Sequence, residues 1–378
     1  MNTLGIKSTN LLVIAFFFIL TAGLSACGGA PSDPNLLGAA GLDTETPTTE
    51  VQATASPVAE IPTNTPVPAP TGHIIFVSNR DGQNSLYTTS ADGTSEPIRL
   101  TALGEDSDPH ISPDGTRVAF VSTVAGNMDI YVLDLASRNV TRITDAAEKD
   151  TSPTWSPDGT HIAFESFRDG NFEIYMANAD GSNPVRLTND PAGDSNPVWS
   201  PVANEIAFVS NRFGNSDIFI VNLSGNISTL TQDPAPNSAP VWSPNGSMIA
   251  FKTHSDDTSN LCVIGRDGLN QHCVTTAPAE YGAPVWSPDG NYFAADAKQS
   301  AGYGIDIFNI NDNSVTELFS VGVEPRGNPS WSPEGTRLAF QAQAEGDMEL
   351  YEVTISTNEF TRLTHTAAYD GEPVWGKQ

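Results

Sequence analysis

Positive charge is scarce in this 378-residue chain. Seventeen Lys and Arg residues stand against 45 Asp and Glu residues, which gives a formal net charge of −28 at pH 7. Proteins that bind nucleic acids neutralise phosphates with clusters of Lys and Arg, so this composition excludes nucleic acid as a partner. The same charge keeps a protein soluble and favours partners that are positively charged.

The chain also lacks an apolar run long enough to span a membrane. The run LLVIAFFFIL at 11–20 is too short for a transmembrane helix, follows Lys7 and precedes the small residues of TAGLSAC. This pattern is typical of a signal peptide. Residues 24–27, LSAC, resemble the lipobox of bacterial lipoproteins, which implies removal of residues 1–26 and a lipid on Cys27. The alternative is an ordinary secretory signal that contains a cysteine.

Cysteine is rare, with three residues in all. If Cys27 carries a lipid, Cys262 and Cys273 remain as a pair on either side of the turn sequence RDGLN. Residues placed symmetrically about a hairpin turn face each other on neighbouring strands, and an oxidising compartment favours their pairing. We expect a disulfide between them, with two buried free thiols as the alternative.

Aromatic residues are absent from residues 28–71, which are rich in Pro, Thr and Ala. Such a segment cannot bury enough apolar surface to offset the entropy of ordering it. We therefore divide the chain into a signal peptide (1–26), a lipidated Cys27 with a disordered tether (27–72) and a folded head (73–378).

The folded head repeats itself. Tryptophans recur at intervals of 43 to 45 residues, at positions 155, 199, 242, 286, 331 and 375, and Ile111 takes the place of a seventh. Each repeat holds four short apolar runs separated by turn sequences such as SPDG, and this period is typical of a β-propeller. The second-strand signature, IAF or a close variant, occurs seven times. The first copy lacks its Trp strand and residues 371–378 form a Trp strand without a continuation, so we predict that the two complete one blade.

The prediction is thus an all-β, seven-bladed propeller of four-stranded blades, with the ring closed between its C-terminal strand and its N-terminal blade. The repeat, WSPDGxxIAF followed by IYV and RLT, resembles the WD-like repeat of TolB-type propellers, which also occurs in prolyl oligopeptidase-like proteases. The resemblance covers 73–378 and implies the fold, with a partner-binding role outside the cytoplasm. TolB carries an α/β domain before its propeller, where this chain has a lipobox and a tether.

Sequence signatures of catalysis are missing as well. No Gly-x-Ser-x-Gly nucleophile elbow occurs, and the six histidines show no zinc-binding spacing. Oligogalacturonate lyases resemble this repeat type and use histidines with a metal, so histidines assembled in space keep an enzyme open as an alternative.

One position in each repeat is a candidate binding site. Five residues before each tryptophan, or before Ile111, the chain enters the innermost strand of a blade, so we expect these residues around one mouth of the central channel. They are Asp106, Asp150, Asp194, Asn237, Tyr281, Arg326 and Asp370, with Asp108 and Glu372 two residues further along. Like charges so placed repel each other unless a cation lies among them. Asp106, Asp150, Asp194 and Asp370 are thus a candidate Ca²⁺ site, and the alternative is that these aspartates cap turns.

Together these features predict a monomeric, lipid-anchored, extracytoplasmic protein on a bacterial membrane, at the cell surface or in the periplasm. We expect a non-catalytic binding head, with no cofactor other than the candidate Ca²⁺. Its partner would be an envelope or secreted protein with a basic segment, and its only membrane contact would be the lipid anchor. The alternatives are a carbohydrate-active enzyme, such as a metal-assisted lyase or hydrolase, and a sugar-binding module.

Overall fold

The computed structural model describes residues 72–255, 258–275, 279–299, 302–318, 323–327, 329–344 and 346–376. The predicted signal peptide, Cys27 and almost all of the tether lie outside these ranges. Within them the chain forms thirty β-strands and no helix. The described part of the chain accordingly contains no helix that could cross a membrane.

The strands form seven antiparallel sheets, the blades of a propeller. Blade 1 consists of β1 (His73–Ser78), β2 (Ser85–Ser90), β3 (Ile98–Arg99) and β30 (Asp370–Trp375). Blade 2 consists of β4 (Asp106–Ile111), β5 (Arg117–Ser122), β6 (Asp129–Asp134) and β7 (Val140–Arg142). Blade 3 consists of β8 (Asp150–Trp155), β9 (His161–Ser166), β10 (Glu173–Asn178) and β11 (Val185–Arg186). Blade 4 consists of β12 (Asp194–Trp199), β13 (Glu205–Ser210), β14 (Asp217–Asn222) and β15 (Ile227–Thr229).

The last three blades have longer central hairpins. Blade 5 consists of β16 (Asn237–Trp242), β17 (Met248–Ser255), β18 (Thr258–Gly265) and β19 (His272–Cys273). Blade 6 consists of β20 (Glu280–Tyr281), β21 (Val285–Trp286), β22 (Tyr292–Gln299), β23 (Gly302–Asn309) and β24 (Val315–Leu318). Blade 7 consists of β25 (Glu324–Pro325), β26 (Ser330–Trp331), β27 (Arg337–Ala344), β28 (Asp347–Thr354) and β29 (Glu359–Arg362). In blades 6 and 7 the innermost strand is divided into two short pieces, both paired with the second strand.

The ring closes as the sequence predicts. The C-terminal strand β30 pairs antiparallel with β1, so that Trp375 lies opposite Ile74 and Asp370 lies opposite Ser78. Blade 1 therefore combines the first three strands with the last one, and neither end of the ring leaves an unpaired edge beside the channel. The seven-bladed fold and its closure are confirmed.

The tryptophans pack between neighbouring blades. Trp155 Nε1 donates a hydrogen bond to the carbonyl oxygen of His110 in the preceding blade at 2.9 Å, and Trp242 donates to that of Val198 at 3.0 Å. Apolar residues from the second strands fill the space between blades; Ile75 of blade 1 and Phe120 of blade 2 belong to one such cluster. Four tryptophans are buried core residues, and Trp286 and Trp331 are partly buried against the clusters between blades.

A disulfide joins β18 to β19 in blade 5. Cys262 and Cys273 lie opposite each other in the register and are covalently linked. In four other blades the same two positions hold a tyrosine opposite an arginine, as in Tyr175 and Arg186. The disulfide therefore stands where other blades attach the outermost strand by polar contacts.

Candidate binding surface at the channel mouth

The structure corrects the predicted positions of the rim residues. Asp106, Asp150, Asp194, Asn237 and Asp370 are fully buried, Tyr281 is 5% exposed, and Arg326 is partly buried. The first residue of the inner strand therefore turns its side chain into the packed blades rather than toward the open channel. The expected arc of four exposed aspartates does not exist.

Three of the buried aspartates bind arginine. Arg212 Nη2 donates to both carboxylate oxygens of Asp194 at 2.9 Å, and its guanidinium lies over the rings of Phe208 and Phe219, 5.4 and 4.6 Å from their centroids. The pairs Arg168–Asp150 and Arg80–Asp370 repeat this arrangement in blades 3 and 1. We call this unit the arginine clamp. It supplies the positive charge that a buried carboxylate requires, so these aspartates belong to the packed interior and are not free to bind a ligand.

The other blades replace the clamp in different ways. In blade 5 the neutral Asn237 donates to Asp217 and to Thr231 at 3.3 and 3.2 Å. In blade 6, Tyr281 packs edge-on against Phe308. In blade 7, Arg326 lies 3.9 Å from the ring centroid of Tyr303 and pairs with Glu324 at 2.6 Å.

Blade 2 keeps the aspartate but lacks the arginine, because Val124 occupies the place of Arg80, Arg168 and Arg212. Thr101 Oγ1 donates to Asp106 Oδ2 at 2.5 Å, whereas Asp106 Oδ1 has no partner within hydrogen-bond distance. Burial raises the pKa of Asp106 against the hydrogen bonds that its carboxylate accepts. Asp106 is thus a buried acid without its usual countercharge.

The four aspartates do not converge on a shared cation position. Three are held by their own arginines, and within the described ranges no group of three or more His, Cys, Asp or Glu side chains could hold a metal ion. The structure thus provides no ligand set for Ca²⁺ at Asp106, Asp150, Asp194 and Asp370.

The third residue of the inner strand reaches the channel in blades 1 and 2, as Glu372 and Asp108. Its backbone is left-handed in five blades, with φ of 53° at Asp108, 54° at Ser152, 51° at Asn196, 49° at Ala239 and 53° at Glu372. A β-bulge accompanies it, since the register shifts in the middle of each of these inner strands. Such a bulge re-aims a side chain, and here it separates a buried first residue from a third residue near the channel.

A cavity of about 1020 Å³ occupies the channel, and its wall includes Asp108, His110 and Glu372. His110 Nε2 lies 3.2 Å from Asp108 Oδ1, and the backbone N–H of Asp108 donates to Glu372 Oε2 at 2.7 Å. The backbone N–H of Glu372 in turn donates to Gln341 Oε1 at 2.8 Å. Two predicted rim residues, Asp108 and Glu372, are thus brought together across the junction of blades 1 and 2. We call Asp108, His110 and Glu372 the acidic wall.

The pKa values of Glu372 and His110 in the acidic wall are both raised. Burial raises the pKa of Glu372, and the charge of Asp108 raises it further, although the Asp108 N–H and the charge of His110 oppose the shift. Partial loss of hydration in the channel disfavours the charged form of His110, but the hydrogen bond and charge of Asp108, together with the charge of Glu372, outweigh it and raise the pKa of His110. Asp108 and Glu372 therefore share a single basic neighbour, His110.

Sequence reasoning missed His110, Glu165 and Gln341. Glu165 is 8% exposed, accepts a short hydrogen bond from Ser152 Oγ, and has a pKa that burial raises. The sequence signal is weak: Glu165 and Gln341 stand where blades 1, 2 and 4 have valine, but blades 5 and 6 have Lys252 and Asp296 there. A polar residue at this position therefore does not by itself single out these two blade junctions.

Comparisons with known proteins agree with this architecture. The family model described as "TolB beta propeller domain" matches residues 99–278, 188–325 and 253–378. A protein TolB homolog from Chlorobium luteolum is 32% identical over 71 residues, which cover 19% of this chain and 16% of that protein. The match thus spans less than a fifth of that relative.

Two solved structures share the fold. The crystal structure of TolB from Acinetobacter baumannii superposes with a TM-score of 0.54 at 21% identity, over 81% of this chain and 67% of that one. Oligogalacturonate lyase from Vibrio parahaemolyticus gives a TM-score of 0.59 at 15% identity, over 78% of this chain and 86% of that one. At these identities the likeness concerns the fold alone. Because the family model covers most of the chain, this protein belongs to the TolB beta propeller domain family.

Proposed function

We propose that this propeller is a non-catalytic binding head that receives a positively charged segment of another envelope or secreted protein at the acidic wall. The observation that carries the proposal is the pairing of Asp108 and Glu372 across one blade junction, at a cavity large enough to admit side chains. A lysine or arginine placed there would relieve the repulsion between the two acids.

The distribution of countercharges supports this role. The aspartates of the arginine clamps are already neutralised inside the blades. Asp108 is 41% exposed and faces His110, which is 46% exposed and charged only when it is protonated. The acidic wall therefore keeps accessible negative charge above the pKa of His110, whereas the buried aspartates offer none.

The test compares two variants with the wild type. Asp108→Asn combined with Glu372→Gln removes both charges of the acidic wall, and Glu359→Gln removes a charge from the exposed outer strand β29. Calorimetric titration with a Lys-rich peptide should show roughly tenfold weaker binding for the double variant, because a lost charge pair costs at least about 1.4 kcal/mol. The Glu359 variant should bind like the wild type. Equal affinity of all three proteins would refute the proposal.

Binding should also strengthen as the pH rises. The pKa values of His110 and Glu372 are both raised. As the pH falls, protonation gives His110 a positive charge and removes the negative charge of Glu372. Both changes weaken the attraction for a cationic ligand at low pH. Affinity that rose on acidification would contradict this assignment.

We further propose that Cys27 anchors the head, as a monomer, to a bacterial membrane on its extracytoplasmic side. The LSAC sequence and the Pro/Thr-rich tether support this location. Mass spectrometry of the native protein should show an N-terminal diacylglyceryl cysteine. An unmodified, uncleaved N-terminus would contradict the anchor. A carbohydrate-active enzyme remains the alternative, and turnover of an oligosaccharide by the wild type would favour it.

A further inference from the structure

Exposed apolar side chains gather on the turns between the second and third strands of blades 2, 3 and 4. Val124 and Met128 of blade 2 are 46% and 44% exposed, and Phe213 of blade 4 is 54% exposed. Between them blade 3 contributes Phe167 and Phe172, which are half-buried and packed edge-on with ring centroids 5.1 Å apart. We call these five residues the apolar arc.

Hydrogen bonds fix the turns that carry the apolar arc. Asn127 Nδ2 of the blade 2 turn donates to the carbonyl oxygens of Ala146 and Glu148 in the loop that leads into blade 3, both at 3.0 Å. Asn171 and Asn215 fasten the turns of blades 3 and 4 to the following loops in the same way. Each turn is thereby tied to the entry of the next inner strand, the strand that supplies the channel wall.

The apolar arc is also held rigidly. The ring of Phe213 packs against Phe219, 5.6 Å between centroids, and Arg212 of the arginine clamp lies over the ring of Phe219. In blade 3, Arg168 is clamped by Asp150 beside Phe167. Side chains that are fixed before binding lose little conformational entropy on association, so exposed apolar groups in such positions favour a docking role.

The charges around the apolar arc select the partner. Its flanking loops expose three acids, Glu105, Asp145 and Glu148, and one base, Lys149, so that negative charge prevails. Thr123 of the blade 2 turn donates its backbone N–H to the Glu105 carbonyl oxygen at 3.2 Å. A second copy of this chain would bring like charges together at a net charge of −28. A sugar is disfavoured, because Lys149 Nζ lies 4.6 Å from the centroid of Phe172, over the face that would stack, and phenyl rings offer no hydrogen bonds.

We propose that the apolar arc binds the apolar side of an amphipathic, Lys/Arg-bearing segment of the same partner whose positive charge enters the acidic wall. This inference rests on the proposed function and assigns the partner's chemistry. The apolar residues provide contact area, and the acidic loops and acidic wall fix the orientation by charge.

Two peptide probes of equal positive charge test it, one amphipathic with alternating Lys and Leu and one with Lys and Ser. Met128→Ser combined with Phe213→Ser removes the two ends of the apolar arc. Leu269→Ser combined with Val315→Ser is the matched control, since those side chains are 61% and 45% exposed elsewhere on the propeller. The arc variant should bind the Lys/Leu probe at least tenfold more weakly than the wild type and should bind the Lys/Ser probe normally, while the control should bind both normally.

The outcomes separate the two proposals. If the arc variant binds the Lys/Leu probe as tightly as the wild type does, or loses no more than the control loses, the apolar arc is not a docking surface. If the arc variant behaves as expected but the Asp108/Glu372 variant binds both probes normally, the acidic wall fails and the apolar arc stands. Circular dichroism and the thermal midpoint of each variant establish that the comparison is made between folded proteins.

Discussion

Replacing Arg212 by Met should reveal how much each arginine clamp contributes to stability. The side chain of Arg212 is 12% exposed and that of Asp194 is fully buried, and the two share two hydrogen bonds of 2.9 Å. Methionine keeps the apolar stem that covers Phe208 and Phe219 but leaves Asp194 as an uncompensated buried charge. Removing one partner of a buried ion pair costs about 3–5 kcal/mol.

A second substitution separates the charge from the packing. Blade 5 carries Asn237 at the position of Asp194, so Asp194→Asn is compatible with this fold. The double variant Arg212→Met/Asp194→Asn should therefore recover most of the lost stability, and the remaining loss of about 1–2 kcal/mol would represent the cation–π contacts and hydrogen bonds.

Urea denaturation followed by tryptophan fluorescence measures these differences. Burial already raises the pKa of Asp194 against its hydrogen bonds with Ser210 and Arg212, and loss of Arg212 raises it further. An acid whose pKa is raised in the folded state destabilises that state above its unfolded pKa, so the single variant should lose most stability at pH 7 and less toward pH 4. A single variant as stable as the double one, or a loss independent of pH, would refute the clamp as an electrostatic device.

Three further perturbations test the fold. Deleting residues 371–378 removes the partner of β1 and the buried Trp375, and calorimetry should show a melting temperature about 10 °C lower or more; an unchanged value would contradict ring closure. Val124→Arg should place a guanidinium near the orphaned Asp106 and raise the unfolding free energy by about 1–2 kcal/mol, and a loss of stability would show that the blade 2 turn differs from its counterparts. Reducing the Cys262–Cys273 disulfide, whose residues are 11 apart in sequence, should cost about 2–3 kcal/mol in urea, whereas an unshifted midpoint would show that it contributes nothing.

The fold is predictable from the sequence because each blade repeats the same local sequence features. The tryptophan period and the second-strand signature both count the same seven units, a turn that begins with Ser-Pro follows six of the seven inner strands, and the incomplete first and last units indicate closure. Residues that act through repetition are visible in a single sequence, because every copy is an independent observation of the same packing requirement.

The candidate site was harder to predict because a strand's orientation depends on a bulge. A regular strand would turn Asp106 and Asp108 to the same face. The left-handed backbone at Asp108 and the register shift that accompanies it break this alternation, so the first residue is buried while the third reaches the channel. The arginines that neutralise the buried aspartates follow 18 residues later in blades 3 and 4, as in Arg168 after Asp150. No local motif links them.

Ring closure means that blade 1 cannot complete its folding until the last strand of the chain is available. Arg80 and Asp370 form an ion pair across 290 positions of the chain. A chain that emerges from its N-terminus first must therefore hold blade 1 as a three-stranded fragment, with the inner edge of β1 unpaired, until the final strand arrives. An unpaired edge is a site of misassociation, and contacts between distant residues form slowly. The large negative charge of the chain would then limit aggregation during folding, since mutual repulsion keeps incompletely folded copies apart.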